Sequence, residues 1–434
     1  VSSAAYSKAL TYLYDLQKYG IKFGLSSTAD LLQRLGNPHE HLKAIHIAGT
    51  NGKGSTAAMI SAVLIQAGYR VGLYTSPHLV RLNERFRIND RDVADRKILE
   101  SFQRVRPAVD EREPPTFFEM TTAMALSLFA TEKVDWAVLE VGMGGRLDAT
   151  NLIQPLVTVI TNVSLDHQEF LGSTLTEIAR EKAGIIKGGV PLVTAERKKA
   201  ALAVIGARCL EVGVPCYRVG RHIKVRSSGG GTFSYHGLGW QLRNLRTPLA
   251  GSHQLYNAAT ALGALEVLET KAACRLTLEQ IGKGLALTRW PGRLEWLSLK
   301  PPVLLDGAHN RAGMVALRRA LLKEYKYRKL ILVLGIMADK DLRGMLARLA
   351  PLAEQVILTR PRYERAADPE TLLKLAGAYA GRMEVIRPVG AALERARRLA
   401  GPEDLVVVTG SLYFIGEVKE IHESENEADH AREQ

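Results

Sequence analysis

KAIHIA (43–48) is short and apolar, GTNGKGST (49–56) follows it, and the helical run STAAMISAVLIQAG (55–68) follows that. This order constrains the chain more than any other feature. A buried strand that enters a helix through a glycine-rich turn aims backbone N–H groups and the positive end of a helix dipole at one point, which suits an anion. Gly49, Gly52 and Gly54 permit a tight turn and close approach of a ligand to the backbone. Lys53 adds a mobile charge near the β- and γ-phosphates of a nucleotide, and Thr50, Asn51 and Ser55 complete the candidate loop. One position departs from the usual pattern. A serine or threonine normally follows the lysine and ligates magnesium. Here Gly54 follows Lys53, and Ser55 comes one place late. If the chain uses Mg-ATP, the loop leaves open what holds the metal.

Strand and helix patterns alternate along the rest of the chain, which predicts α/β layers with a mostly parallel sheet. RVGLYTS (70–76), WAVLEVG (136–142) and PLVTVITNVS (155–164) are nearly continuous apolar strands, as in a sheet covered on both faces. Thr174 with Glu177, and Thr277 with Gln280, form candidate capping boxes. Residues 216–250 change character, and the turn glycines and alternating residues of HIKVRSSGGGTFSYHGLGWQL predict hairpins at the sheet's edge. PGRLEWLSLKPP (291–302) reads as a boundary, after which strand patterns such as PVLLDGA, LILVLGI and DLVVVTG restart the alternation. The expected architecture is therefore α/β in two domains. Residues 1–296 form an ATP-binding domain with a phosphate loop, a mostly parallel sheet and a small β-hairpin region; residues 297–434 form a smaller Rossmann-like domain.

Composition narrows the partners. The 434 residues carry a formal charge of +13, but the basic residues are dispersed and no nucleic-acid motif appears. A positive field also suits polyanionic small molecules. No apolar run is long enough for a membrane span, and the N-terminus lacks a signal-peptide pattern. The three cysteines form no CxxC pair and fit a reducing cytoplasm.

GTNGKGS also resembles the loop variant of the folylpolyglutamate synthase/dihydrofolate synthase group of the Mur ligase superfamily. The resemblance extends, in the family's order, through TSPHLVRLNERFRIN (75–89), TFFEMTTAMAL (116–126), EVGMGGRLDATN (140–151), NVSLDHQEFLG (162–172), EIAREKAGIIK (177–187), SHQLYNAATAL (252–262), RWPGRLE (289–295), DGAHN (306–310) and TGSLYF (409–414). It implies that the metal, Mg2+, is held by Ser76, Glu140 and His167. Ser76 and Glu140 end candidate strands, where open α/β sheets bind ligands. By its own chemistry His167 reads rather as a hydrogen-bonded loop histidine, because imidazole is a soft donor for magnesium, and only the resemblance reverses that reading.

The resemblance further implies that Lys182 is carbamylated by CO2 and acts with Lys53 and His167 in catalysis. From its helical setting alone, Lys182 would be an exposed lysine. Asn257, Arg289 and Asp306 match positions that contact ATP, with His309 as a neighbour of the phosphates; by itself, Asp306 could be a capping residue. Phe118 and Asp148 match pterin-site segments, against the plainer readings of a core phenylalanine and an Asx turn. The implied activity is ATP-dependent ligation of L-glutamate to tetrahydrofolates, and to dihydropteroate, through an acyl phosphate. A monomer binding only small molecules is expected. The alternatives are a Mur-type cell-wall peptide ligase, which the shifted serine disfavours, and a phosphate-loop switch that binds nucleotide without ligation.

Overall fold

The computed structural model describes residues 3–22 and 24–432, with side chains described for 4–22 and 24–425. Its centre is β1 (Ala44–Ala48), in which all five residues are buried. β1 lies between β5 (Trp136–Glu140) and β6 (Val157–Ile160), parallel to both. On one side β2 (Val71–Tyr74) continues the parallel set, and β3 (Phe86–Ile88) and β4 (Arg91–Asp92) add antiparallel edge strands. On the other side lie β7 (Leu192–Thr194) and β8 (Cys216–Arg218), giving the order β4-β3-β2-β5-β1-β6-β7-β8. The chain leaves β1 toward β2 and later returns to β6 on its opposite side, so the turn after β1 sits at a topological switch point, where such sheets bind ligands.

The helix Lys53–Gln66 explains its own uniform apolarity. Every residue from Gly54 to Leu64 is buried. It packs between the sheet and the helices Ser252–Thr270 and Leu278–Leu287, so it has no solvent face to mark with charge. The opposite face of the sheet is covered by the helix Phe117–Thr131, whose Met120, Met124 and Phe129 join Tyr74 and Leu139 in a second core cluster. Both expected capping boxes are formed: Thr174 with Glu177, and Thr277 with Gln280.

The expected hairpin region is present, as a sheet of its own. β9 (Lys224–Gly229), β10 (Thr232–His236) and β11 (Gln241–Arg246) form their own antiparallel sheet rather than extending the main one, whose edge is β8. The reason lies in β10, where Phe233 and Tyr235 alternate inward and bury fully against the helix Ser252–Thr270 in the main core.

A six-stranded sheet follows: β12 (Glu295–Leu299), β13 (Pro302–Asp306), β14 (Leu330–Leu334), β15 (Gln355–Leu358), β16 (Met383–Val385) and β17 (Leu405–Thr409), in the order β12-β13-β17-β14-β15-β16. Only β12 is antiparallel to its neighbour. The expected division at 296/297 falls inside β12. Among the described residues, no helix is long and apolar enough to cross a membrane.

Candidate active site

The turn after β1 is wired to the end of β6. Thr161 Oγ1 and Asn162 Nδ2 both donate to the Asn51 carbonyl at 2.7 Å, while the Thr50 N–H donates to the Asn162 carbonyl at 2.8 Å. Gly49 has φ +146°, and a Cβ there would lie 1.9 Å from Thr161 Oγ1, so no other residue fits. Gly52 starts the helix at φ +85°, with the Asn257 amide closed over it. The buried Ser55 hydroxyl faces sideways, accepting from Gln254 Nε2 at 3.4 Å. The late serine of the loop is thus turned to the helix Ser252–Thr270.

Lys53 Nζ donates to the Thr50 carbonyl at 3.3 Å and lies 3.8 Å from Glu140 Oε1. Glu140, the last residue of β5, is buried, and its Oε2 accepts the Ser76 N–H at 3.3 Å. Burial raises its carboxyl pKa, while Lys53 and the Ser76 N–H counter the rise. Lys53, Ser76 and Glu140 therefore meet at the carboxyl ends of three strands. Lys182 comes to the same place. It sits at the end of the helix Leu175–Ala183, only 3% exposed, and donates to the Gly49 carbonyl at 3.0 Å. This overturns the reading of an exposed helix lysine. Burial, reinforced by the Lys53 charge, lowers its pKa to about 7. His167 adopts a left-handed conformation (φ +49°) before the short helix Gln168–Leu171, its ring 3.9 Å from Asp166. Its pKa falls to about 4, mainly through burial against the opposing pull of Asp166, so near neutral pH the ring is an uncharged donor.

The C-terminal sheet aims its own carboxyl end at this place. Asp306 ends β13, and its oxygens accept the N–H groups of Leu294 (3.1 Å) and Ala308 (2.9 Å), which shapes the DGAHN turn. His309 Nε2 lies 3.5 Å from Asp166. Asn310 exchanges amide hydrogen bonds with Asn51 (3.0 and 3.1 Å) and donates to Asp166 at 2.8 Å. Lys340 pairs with Asp166 at 2.8 Å. Burial would raise the Asp166 carboxyl pKa, but the hydrogen bond to His309 and the nearby His309, His167 and Lys340 hold it well below the usual range.

Three expected residues stand apart. Arg289 is exposed, with Asp90 as a charged neighbour; it reaches the loop only through the adjacent Trp290, whose indole backs Gly54. Phe118 packs its ring over Gly142 and beside Tyr74. Asp148 accepts from Met143 N (2.9 Å), Thr150 N (3.0 Å) and Thr150 Oγ1 (2.5 Å), so the Asx turn is formed and also ties down the glycine-rich segment after Glu140. Burial raises its pKa. Asp166, Trp290 and Asn310 lie inside the segments NVSLDHQEFLG, RWPGRLE and DGAHN but are not among the expected site residues, and Lys340 lies outside every such segment. Only Asn310 has a local signal, as an N-cap before RAGMV.

A phosphate loop on a mostly parallel sheet, joined to a second α/β sheet through Asn51–Asn310 and Asp166–Lys340, is the frame of a nucleotide-binding enzyme. Residues 47–265 match the Mur ligase middle domain, and residues 292–412 match the Mur ligase, glutamate ligase domain. The chain is 36% identical over 425 residues to the dihydrofolate synthase/folylpolyglutamate synthase of Bacillus subtilis, covering 96% of this chain and 98% of that protein. It is 35% identical to the folylpolyglutamate synthase of Lacticaseibacillus casei over 96% of this chain and 98% of the other. Among solved structures, Escherichia coli FolC in complex with DHPP and ADP superposes with a TM-score of 0.89 at 32% identity, over 97% of this chain and 98% of that one. A bifunctional folylpolyglutamate synthase/dihydrofolate synthase with Mn, AMPPNP and L-glutamate bound superposes with a TM-score of 0.86 at 33% identity, over 94% and 97%. The chain belongs to the folylpolyglutamate synthase/dihydrofolate synthase group of the Mur ligase family. It is an ATP-dependent glutamate ligase of that type.

Proposed function

We propose that this enzyme adds L-glutamate both to dihydropteroate and to tetrahydrofolates, as a cytoplasmic monomer. The observation that carries the reading is the meeting of Lys53, Glu140 and Ser76 on a phosphate loop in which Trp290 occupies the place of a side chain after the lysine. The free thiols Cys209, Cys216 and Cys274 support a reducing compartment.

In the proposed reaction a carboxylate oxygen of the acceptor attacks the γ-phosphorus of ATP. The bond to ADP breaks, leaving an acyl phosphate. The amine of glutamate then attacks the acyl carbon, loses a proton and expels phosphate. Lys53 and the loop N–H groups bind the β- and γ-phosphates and offset the repulsion between two anions. Asn257 orders the loop at Gly52, and Arg289, exposed beside Trp290, would have to turn inward to reach the nucleotide. His309 and Asp306 bring the C-terminal domain to the phosphates, and closure excludes water from the acyl phosphate. Phe118 and Asp148 form the pterin side of the site, next to a groove lined by Ile21, Lys22, Gly145, Arg146, Phe170 and Glu181.

Glu140 offers a buried, hard oxygen donor only loosely engaged by Lys53, which fits a Mg2+ that takes most of its ligands from phosphates and water. Ser76 would complete that site, and the uncharged His167 would serve a second ion. Mg2+, when bound, would neutralise charge on the phosphates. Lys182 meets the requirement for a carbamate, since its pKa near 7 leaves much of the amine uncharged at neutral pH. Its nitrogen would add to CO2 with release of one proton.

The test is ADP release in Mg-ATP and L-glutamate, with dihydropteroate and tetrahydrofolate supplied separately and product masses recorded. Glutamylated product from both acceptors is the expected result. Product from one alone would assign the enzyme to that branch, and acceptor-independent turnover would overturn the ligase reading.

A further inference from the structure

The 19-residue helix Ser252–Thr270 has no cap of its own. Its N-cap is Gly251, at φ +98°, which brings no side chain to the open N–H groups of the first turn. The cap comes from the other domain. Glu324 Oε2 accepts the Gly251 N–H at 2.9 Å, and Oε1 accepts the Ser252 N–H at 3.1 Å. A carboxylate at this end also opposes the helix dipole favourably. The capped turn matters because Gln254 and Asn257, immediately beyond it, reach Ser55 and close over Gly52 of the phosphate loop.

Glu324 is itself the C-cap of the helix Arg311–Lys323, whose N-cap is Asn310. Asn310 bonds Asn51 and Asp166. One helix of the C-terminal domain is thus pinned at both ends to the nucleotide side of the molecule. Its 13 residues span about 20 Å. Between the pins, Met314, Leu317 and Leu321 belong to an apolar cluster against which Ala250 packs. A rigid rod held at both ends cannot swing until one pin opens.

We propose that the helix Arg311–Lys323 is a strut between the domains and that Glu324 is a positioning residue at its far end. Occupancy of the phosphate loop is passed to the C-terminal domain through both pins, Asn51–Asn310 and the capped helix Ser252–Thr270. Glu324 touches no substrate in this scheme. The proposal rests on the ligase reading only for its effect on turnover.

The test uses full-length wild type, Glu324→Ala, Glu324→Gln, Asn310→Ala and the double variant Asn310→Ala/Glu324→Ala. Hydrogen exchange is measured with and without a non-hydrolysable ATP analogue and Mg2+. In the wild type, nucleotide should slow exchange across 311–323; in Glu324→Ala that slowing should be lost, and in Glu324→Gln, which keeps one acceptor oxygen, partly restored. In turnover, ADP formed per glutamylated product should rise roughly tenfold in Glu324→Ala, less than the ~100-fold that a 1 Å misplacement can cost. The double variant should be no worse than the worse single one, because opening either pin frees the same rod. Wild-type nucleotide protection of 311–323 in folded Glu324→Ala would overturn the strut, and so would multiplying effects in the double variant. If the wild type shows the exchange effect but no acceptor-dependent ADP, the strut stands and the ligase reading fails.

Discussion

Gly54 lies flat against the indole of Trp290: a Cβ at position 54 would sit 2.6 Å from Trp290 Cζ2 and 2.8 Å from Cε2. The residue after the loop lysine is therefore glycine for a steric reason, and the hydroxyl usual at that place has no room. Gly54→Thr should not improve magnesium use. It should destabilise the protein by about 1–3 kcal/mol through overpacking, read by urea denaturation, and the paired change Trp290→Ala should recover part of that loss. A tighter magnesium dependence with full activity in Gly54→Thr would contradict this account.

Glu140→Ala separates chemistry from folding. The carboxylate is buried, and burial opposes its charge, so removing it costs the fold little by itself. Removing it also takes away the oxygen donor beside Lys53. Ligation should fall by at least ~100-fold, the scale on which one transition-state electrostatic contact is lost, while circular dichroism and thermal unfolding stay close to wild type. Near-normal turnover would remove Glu140 from the metal site.

Lys182 should leave a signature in pH. Its folded pKa is about 7, below the ordinary value of 10.5, because burial disfavours the charge. Between those two values the unfolded chain binds a proton that the folded protein does not, so this residue makes stability rise with pH across that window. Below about pH 7 both states are protonated, and the cost of the buried cation is present in full. In CO2-free buffer Lys182→Met should be more stable than wild type at pH 6, with the difference shrinking toward pH 10, as urea denaturation at each pH would show. A constant difference would mean that the amine is not buried as a cation. With 13C-labelled CO2, the wild type should show a carbamate carbon resonance that Lys182→Met lacks.

The motifs carried the site's inner ring because strand-end chemistry is local. Glu140 closes an apolar strand, and the glycines of the loop mark tight backbone approach, so both are legible one residue at a time. The contacts that close the cleft are not local. Asp166 and Lys340 are 174 positions apart, and each sits in a loop with no periodicity to mark it. Lys182 misleads for a related reason: its helix has an ordinary polar face, and only the placement of that helix against Gly49 removes the amine from water. Likewise Phe233 and Tyr235 alternate as any half-buried strand does, and alternation does not say which sheet the strand will join.

Asp148 and His46 share one hydroxyl, and this fixes a proton. Thr150 Oγ1 donates its only hydrogen to Asp148 at 2.5 Å, so at its 2.8 Å contact with His46 Nε2 it must accept. His46 is therefore protonated on Nε2. Burial, with Lys187 nearby, lowers its pKa to about 3, which keeps the ring neutral. Thr150→Val would leave the Nε2–H group without a partner in the core and release one of the three bonds on Asp148. The cost should be about 1–3 kcal/mol of stability, the range for a stranded buried donor. Because Asp148 also ties down Met143, the segment after Glu140 should loosen, and KM for the pteroate acceptor should rise while KM for ATP holds. Both Michaelis constants are measured on the same preparation beside a urea curve. If the two rise together, Asp148 supports the whole loop architecture and has no special part on the acceptor side.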